Sequence, residues 1–186
     1  MTAEKKTYPT TPALVGDKVY LRVATPEDIG NTYHWFILSE PQSQSCRPVI
    51  IRTASEALEA YKKEERTPDR QTLMVIRKED NVPVGRLRYF DLNPQNRSAE
   101  IGLLVDPDMR RKGYGLEAVK VICRYLIRYR GLNKVHAQTA AYNAAAIKLL
   151  EAAGFKKDGT LRHHYFYQGE YHHGFIYSVL AHELER

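Results

Sequence analysis

The chain has 186 residues, 43% of them hydrophobic and 27% charged, with a formal charge of +6. That is the balance of one ordinary folded domain, long enough to bury a core, and neither an internal repeat nor a low-complexity tract interrupts it. No apolar run approaches membrane-spanning length, no signal peptide opens the chain, and two cysteines make no disulfide framework, so a soluble cytoplasmic protein is expected.

In chain order, residues 1–16 hold Lys5-Lys6, Pro9 and Pro12 without apolar period and read as a flexible arm, leaving residues 17–186 as a single domain. Lys18 to Val23 alternates Val19, Leu21 and Val23, a strand. Thr25-Pro26-Glu27-Asp28 starts a helix, with Thr25 as N-cap, and Trp35 and Phe36 fall on the helix that follows. Pro41 to Pro48 is a loop. Ser55 to Arg66 reads as a helix with Leu58 and Tyr61 inward. Thr72 to Ile76 and Val84 to Phe90 form a hairpin turned at Glu79-Asp80-Asn81. After the turn Asn93-Pro94-Gln95-Asn96 comes an apolar strand, Glu100 to Val105. Gly115 to Arg130 carries Val119, Ile122, Cys123 and Leu126 on one helical face, and Gly131-Leu132 caps it. Val135 to Thr139 is a strand. Asn143 opens a helix that Gly154 ends. From Phe155 the chain forms a last hairpin with Gln168-Gly169 at its tip. The order describes an α+β fold, antiparallel in front with parallel crossovers behind.

The chemistry is concentrated between the central strand and the long helix, in Asp106-Pro107-Asp108-Met109-Arg110-Arg111-Lys112-Gly113-Tyr114-Gly115. Three consecutive cations and two glycines stand where a helix begins. Glycine lets backbone approach a ligand, and the first N–H groups of a helix favour an anion. A nucleoside triphosphate would want Gly-Lys-Ser/Thr to close the loop, but Leu116 follows Gly115. Gly113 to Ala118 does satisfy the dinucleotide pattern G-x-G-x-x-A. That pattern needs a carboxylate about 20 residues on, at the end of the next strand, and Lys134 to Thr139 supplies none. The pyrophosphate of coenzyme A suits a loop this basic.

Arg110-Arg111-Lys112-Gly113-Tyr114-Gly115 resembles the R/Q-x-x-G-x-G/A signature of the GNAT-type N-acetyltransferases. Ala99 to Val105 resembles that family's central strand, and Asn143 with Leu149 to Phe155 resembles its second helix and following Gly-Phe. Tyr167 to Tyr171 and Ile176 to Glu183 resemble the final hairpin of the ribosomal-protein alanine acetyltransferase branch (RimJ/RimL type). The resemblance implies a GNAT-like, mixed but mostly antiparallel central sheet flanked by helices on both faces. It implies acetyl-CoA as acetyl donor, with Leu103, Leu104, Val105, Arg110, Arg111, Lys112, Gly113, Tyr114, Gly115 and Asn143 as cofactor contacts. It also implies a central strand splayed or bulged near Gly102 to Val105.

The acceptor must then be an amine, a ribosomal or other protein N-terminus or a small amine. It must lose its proton, at a pKa of about 10.4 for a lysine-like amine or about 7.7–8.0 for an N-terminus. Glu100, at the start of the central strand, is the candidate base, directly or through water. The general acid is open. Many family members carry Tyr four residues before the Gly of Gly-Phe, where this chain has Leu150. The ribosomal branch often has Ser where this chain has Ala146. Tyr142, Tyr165 and Tyr167 are the possible substitutes. Those missing acids also leave room for a non-catalytic acyl-CoA-binding or RNA-associated module.

Cys123 lies on an apolar helix face and reads as core packing; Cys46 is loop-borne. His163-His164 and His172-His173 place His164 opposite His173 across the last hairpin, half a zinc site with no third ligand, so no metal is expected. No basic tract exceeds three residues, so direct nucleic-acid binding is not expected. The aromatic hairpin could shape the acceptor pocket or a homodimer contact.

Overall fold

A computed structural model describes residues 13–39, 53–64 and 69–184. They form one eight-stranded sheet in the order β1-β2-β3-β4-β5-β6-β8-β7. The strands are β1 (Leu14–Val15), β2 (Val19–Val23), β3 (Gln71–Arg77), β4 (Pro83–Asn93), β5 (Ser98–Val105), β6 (Lys134–Ala140), β7 (Lys156–Tyr167) and β8 (Glu170–Leu180). Every pairing is antiparallel except β5 with β6. The helices are α1 (Pro26–Asn31), α2 (Tyr33–Leu38), α3 (Ala54–Glu64), α4 (Tyr114–Arg124), α5 (Ala144–Ala152) and α6 (Ala181–Leu184).

Both faces of the sheet are buried, which explains why β3 reads as an unbroken apolar run and not as an alternation. On one face Val19, Leu21, Val75, Leu87 and Ile101 meet Val119, Ile122 and Leu126. On the other, Tyr20, Met74 and Ile76 meet Ile29 and Trp35, with Tyr61 packed alongside. Each such large apolar side chain contributes about 1.5–3 kcal/mol.

Several boundaries differ from the sequence expectation for local reasons. The arm was placed over 1–16, yet Leu14 and Val15 pair with Leu21 and Tyr20 as β1; residues 1–12 lie outside the described residues, as do the loop 41–48 and Cys46. Thr32 separates α1 from α2, because its N–H and Oγ1 both turn back onto the Asp28 carbonyl at 3.0 and 2.6 Å. The third helix starts at Ala54 behind a capping box. The Thr53 N–H donates to Glu56 Oε2 at 2.8 Å and the Glu56 N–H to Thr53 Oγ1 at 3.2 Å. The long helix is α-helical only from Tyr114 to Arg124, and its last turn, Tyr125–Tyr129, widens to π geometry. The tip of the β7–β8 hairpin is Gln168-Gly169, at φ 50° and 86°, the left-handed pair a tight hairpin wants.

Beneath the α1 start, Arg22 on β2 grips Asp28 with Nη1 and Nη2 at 2.6 and 2.8 Å. Both side chains are about nine-tenths buried, at 10% and 11% exposure. Burial alone would raise the Asp28 carboxyl. The Arg22 guanidinium and the Thr25 backbone N–H outweigh it and hold the group below its ordinary range.

Candidate active site

β5 and β6 pair as parallel neighbours only over Ser98↔Lys134, Ala99↔Val135 and Glu100↔His136. Beyond that point β5 stays paired with β4 through Val105, while β6 stays paired with β8 through Ala140. The two strands therefore part like a fork, and the β6-facing backbone groups of Ile101 to Val105 have no strand partner. A cleft of about 1670 Å³ fills the fork and passes through the sheet.

One end of the cleft is closed by the basic loop and the start of α4. Asp106 caps a short turn, Pro107–Met109, and the chain then swings through Arg111 at φ 62° and Gly113 at φ 87°. Left-handed backbone at Arg111 is strained, and such strain persists where the surroundings impose it. Gly113 stands at the N-cap and offers no side-chain acceptor to α4, in contrast to Thr25 at α1 and Asn143 at α5. The first-turn amides of α4 are thus left for an anion from outside. A Cβ on Gly113 would meet only Lys18 Nζ, at 3.9 Å, so the space in front of it is open. Gly115 has a different reason. Its Cβ would lie 3.1 Å from Leu103, Val105 and Leu149 at once, so glycine here lets α4 pack close on β5.

The other expected contacts divide. Leu103, Leu104, Val105, Arg110, Arg111, Gly113, Tyr114, Gly115 and Asn143 all line the cleft. Arg110 is tethered there, Nη2 donating to Ser39 Oγ at 2.6 Å and Nε to the Val105 carbonyl at 3.4 Å. Lys112 departs from the expectation: it is not part of the lining, and its Nζ donates to the Asp108 carbonyl at 3.1 Å. Three consecutive residues cannot all point one way in a turning backbone. Asn143 is buried and caps α5, accepting from the Ala146 N–H at 3.1 Å.

Glu100 lies at the point of the fork, its side chain 20% exposed, with Oε2 3.7 Å from His136 Nε2. Burial lowers the His136 pKa, and the Lys134 ammonium lowers it further, so the ring is neutral at neutral pH. Leu150 and Ala146 line the cleft without an ionisable atom. Of the three tyrosines, Tyr142 and Tyr165 line it and Tyr167 does not. The Tyr165 hydroxyl accepts from Gln138 Nε2 at 2.9 Å. The Tyr142 ring is 4.7 Å from Tyr167 and 4.9 Å from His172.

The histidine pairing is corrected. Three residues of β7, Arg162 to His164, oppose His173 alone, because the register shifts between Leu161 and Tyr165. His163, at φ 50°, then meets His173, its N–H donating to His173 Nδ1 at 3.1 Å. His164 instead reaches Gln138, at 2.8 Å. Among the described residues no cluster of three metal-ligating side chains occurs. Cys123 is buried, and burial pushes its thiol up to about 12, so it packs and does not react.

Sequence reasoning missed Arg70, Arg86, Arg88 and Phe36, which also line the cleft. The alternation of β4 would have put Arg86 and Arg88 on one face, but only tertiary structure shows that this face is covered.

The acetyltransferase (GNAT) domain matches residues 18–156, and the chain belongs to this family of acetyl-CoA-dependent N-acetyltransferases. The SPbeta prophage-derived uncharacterized N-acetyltransferase YokL of Bacillus subtilis is 24% identical over 170 residues, 91% of this chain and 94% of that one. Spermidine N(1)-acetyltransferase of Escherichia coli is 25% identical over 104 residues, 56% of either chain. The chain spans about three fifths or less of that relative and of several others it matches. A Bacillus subtilis relative whose name carries the ribosomal assignment, YdaF, is 29% identical over 106 residues, 57% of this chain and 58% of that one. In fold, the spermidine N-acetyltransferase of Vibrio cholerae, solved with CoA and spermine, superposes with a TM-score of 0.75 at 20% identity, over 91% of this chain and 99% of that one. These likenesses reach the GNAT family, and not the ribosomal-protein branch in particular. No helix among the described residues is long and apolar enough to cross a membrane.

Proposed function

We propose that the chain from β1 onward acts as one catalytic domain that acetylates a primary amine by direct attack within a ternary complex, at the fork between β5 and β6. The observation that carries this reading is the fork itself. It opens backbone groups of β5 on one side and presents Glu100 at its apex.

Acetyl-CoA supplies the activated acyl thioester. The residues of this chain do the rest. The uncapped first turn of α4, with Arg110 and Arg111, would hold the diphosphate. The β6-facing amides of Leu103 to Val105 would orient the acyl arm and donate to the oxygen that gains charge. Asn143 holds the start of α5 against the same arm. Glu100 takes the proton from the acceptor ammonium, directly or through water, freeing its lone pair. The nitrogen–carbonyl bond forms, the carbon–sulfur bond breaks, the thiolate leaves with a proton from Tyr142 or Tyr165, and the second proton lost by the nitrogen restores that tyrosine. Such a thiolate, of pKa about 8.5, is a tolerable leaving group at neutral pH. Much of the rate comes from holding both substrates in one cleft.

The acceptor is a small amine or an exposed protein N-terminus. Thiol release from acetyl-CoA, followed over a panel of primary amines, tests the reading. It predicts release that depends on the amine and that falls sharply in Glu100→Gln. Amine-independent release, or none with any amine, would overturn it.

A further inference from the structure

The cleft has a cationic wall that acetyl transfer alone does not require. Arg70, just ahead of β3, and Arg86 and Arg88 of β4 line it together. Arg86 and Arg88 are two residues apart on one strand, so both leave the same face. The register sets Arg86 opposite Leu104, Arg88 opposite Gly102 and Phe90 opposite Glu100. The arginines and the candidate base therefore share one face of the sheet.

Gly102 leaves a gap there. A Cβ at this position would meet only Phe90 Cε1, at 3.6 Å, an ordinary contact. Packing does not demand glycine, and the missing side chain opens space in front of Arg88, next to Glu100. Arg86 is half-buried in this wall, and the loss of water around it pulls its guanidinium down to about 10. Among the described residues only the Tyr61 phenol offsets that loss, and no carboxylate pairs with Arg86. Arg70 keeps a long contact to Asp69 at 3.4 Å, while its Nε is buried with no hydrogen-bond partner. A cation drawn out of water with no carboxylate beside it, as Arg86 is, is costly. The whole lining holds six cationic side chains against two carboxylates, Asp91 and Glu100. Arg110 and Arg111 belong to the α4 end, so the β4 wall is surplus to a diphosphate.

We propose that this wall selects an acceptor amine that also carries an anion, a carboxylate or a phosphate, with Arg86 and Arg88 gripping the anion while the nitrogen lies against Glu100. The guanidinium fork matches both anions in two-point geometry. The inference rests on the acetyl-transfer reading and narrows it. A polyamine such as spermidine, cationic along its length, is disfavoured by the same wall.

Four amines decide the matter: an amino acid, its carboxamide, an aminoalkyl phosphate and spermidine, each offered with acetyl-CoA while thiol release is followed. The proposal expects kcat/KM for at least one anionic amine to exceed that for the carboxamide by about tenfold or more, with spermidine poorest. Which anion wins identifies the group. Arg86→Gln and Arg88→Gln should each reduce the anionic substrate about tenfold more than the carboxamide, and Arg86→Lys should restore part of the preference. A carboxamide or spermidine that outperforms both anionic amines overturns the proposal, as does a preference intact in both Gln variants. No thiol release with any of the four at saturating acetyl-CoA overturns this inference, and release with another amine of the wider panel would leave acetyl transfer standing. Should the variants not fold, calorimetry on the native protein loaded with coenzyme A gives the answer. The anionic amine must bind about tenfold more tightly than its carboxamide, and equal affinity overturns the proposal.

Discussion

Glu100 and His136 show how one position can be legible in sequence while its partner is not. A carboxylate at the start of the central strand stood out. The imidazole 3.7 Å from it comes from a strand 36 positions later, joined through the short parallel pairing. Replacing Glu100 with Gln should lower kcat by about 10²–10⁴ and remove the acid limb of the pH profile, with calorimetry giving an unchanged coenzyme A affinity. An unchanged profile would take Glu100 out of the mechanism. His136 makes a separate statement about stability. Burial, then the Lys134 charge, lower its pKa in the folded state, so the unfolded chain takes up the proton first as pH falls through the ordinary value of 6.5. Stability conferred by the neutral ring is therefore present above that pH and is lost below it, down to the folded pKa. Urea midpoints between pH 7 and pH 5 should fall less steeply in His136→Gln than in the parent.

At the scale of elements, the two glycines of the basic loop separate into different tasks. Gly113→Val meets open space but left-handed backbone, a strain of about 1–3 kcal/mol, and it displaces the amides that face the cleft. Its first effect should be on coenzyme A affinity, read by calorimetry. Gly115→Ala pushes a methyl into Leu103, Val105 and Leu149 at 3.1 Å. It should destabilise the fold by about 1–3 kcal/mol, read by denaturant midpoint; full stability there would contradict the close approach of α4 to β5. The junction of β2 with α1 is the other sensitive point. Arg22→Ala leaves the buried Asp28 carboxylate without its two-point partner. A loss of about 3–5 kcal/mol is expected, since a stranded buried charge is worse than no charge. Because the Asp28 pKa is lowered in the fold, the stability this carboxylate adds is present above the ordinary value of 3.8 and is lost as pH falls below it.

Taken as a whole molecule, the protein is a sheet split at one seam. The seam leaves Ile101 to Val105 of β5 paired with β4 alone and Ala137 to Ala140 of β6 paired with β8 alone. Coenzyme A at 100 times its Kd should raise unfolding stability by about 2.7 kcal/mol. It should also slow hydrogen exchange at the amides of Leu103 to Val105 more than elsewhere in the sheet. Exchange unchanged at these amides would place the acyl arm elsewhere. The charge of +6 belongs to this scale too. Six cations lie in the cleft, so affinity for the cofactor should weaken as salt rises.

The sequence by itself determined what local chemistry decides. Alternation marked the strands, caps at Thr25 and Asn143 opened helices where expected, and Arg110, Arg111, Gly113 and Gly115 line one end of the cleft. The capping box at Thr53 and Glu56 is equally local, and its residue spacing is legible in the sequence. Only the tertiary structure decided where β5 leaves β6, that Lys112 turns out of the cleft, that a shifted register brings His163 and not His164 to His173, and that Arg86 stands half-buried in the cleft wall. The reason is range. Periodicity and capping act within a few residues, whereas strand divergence, register shifts and the burial of a charge depend on surfaces that meet only after the chain has folded.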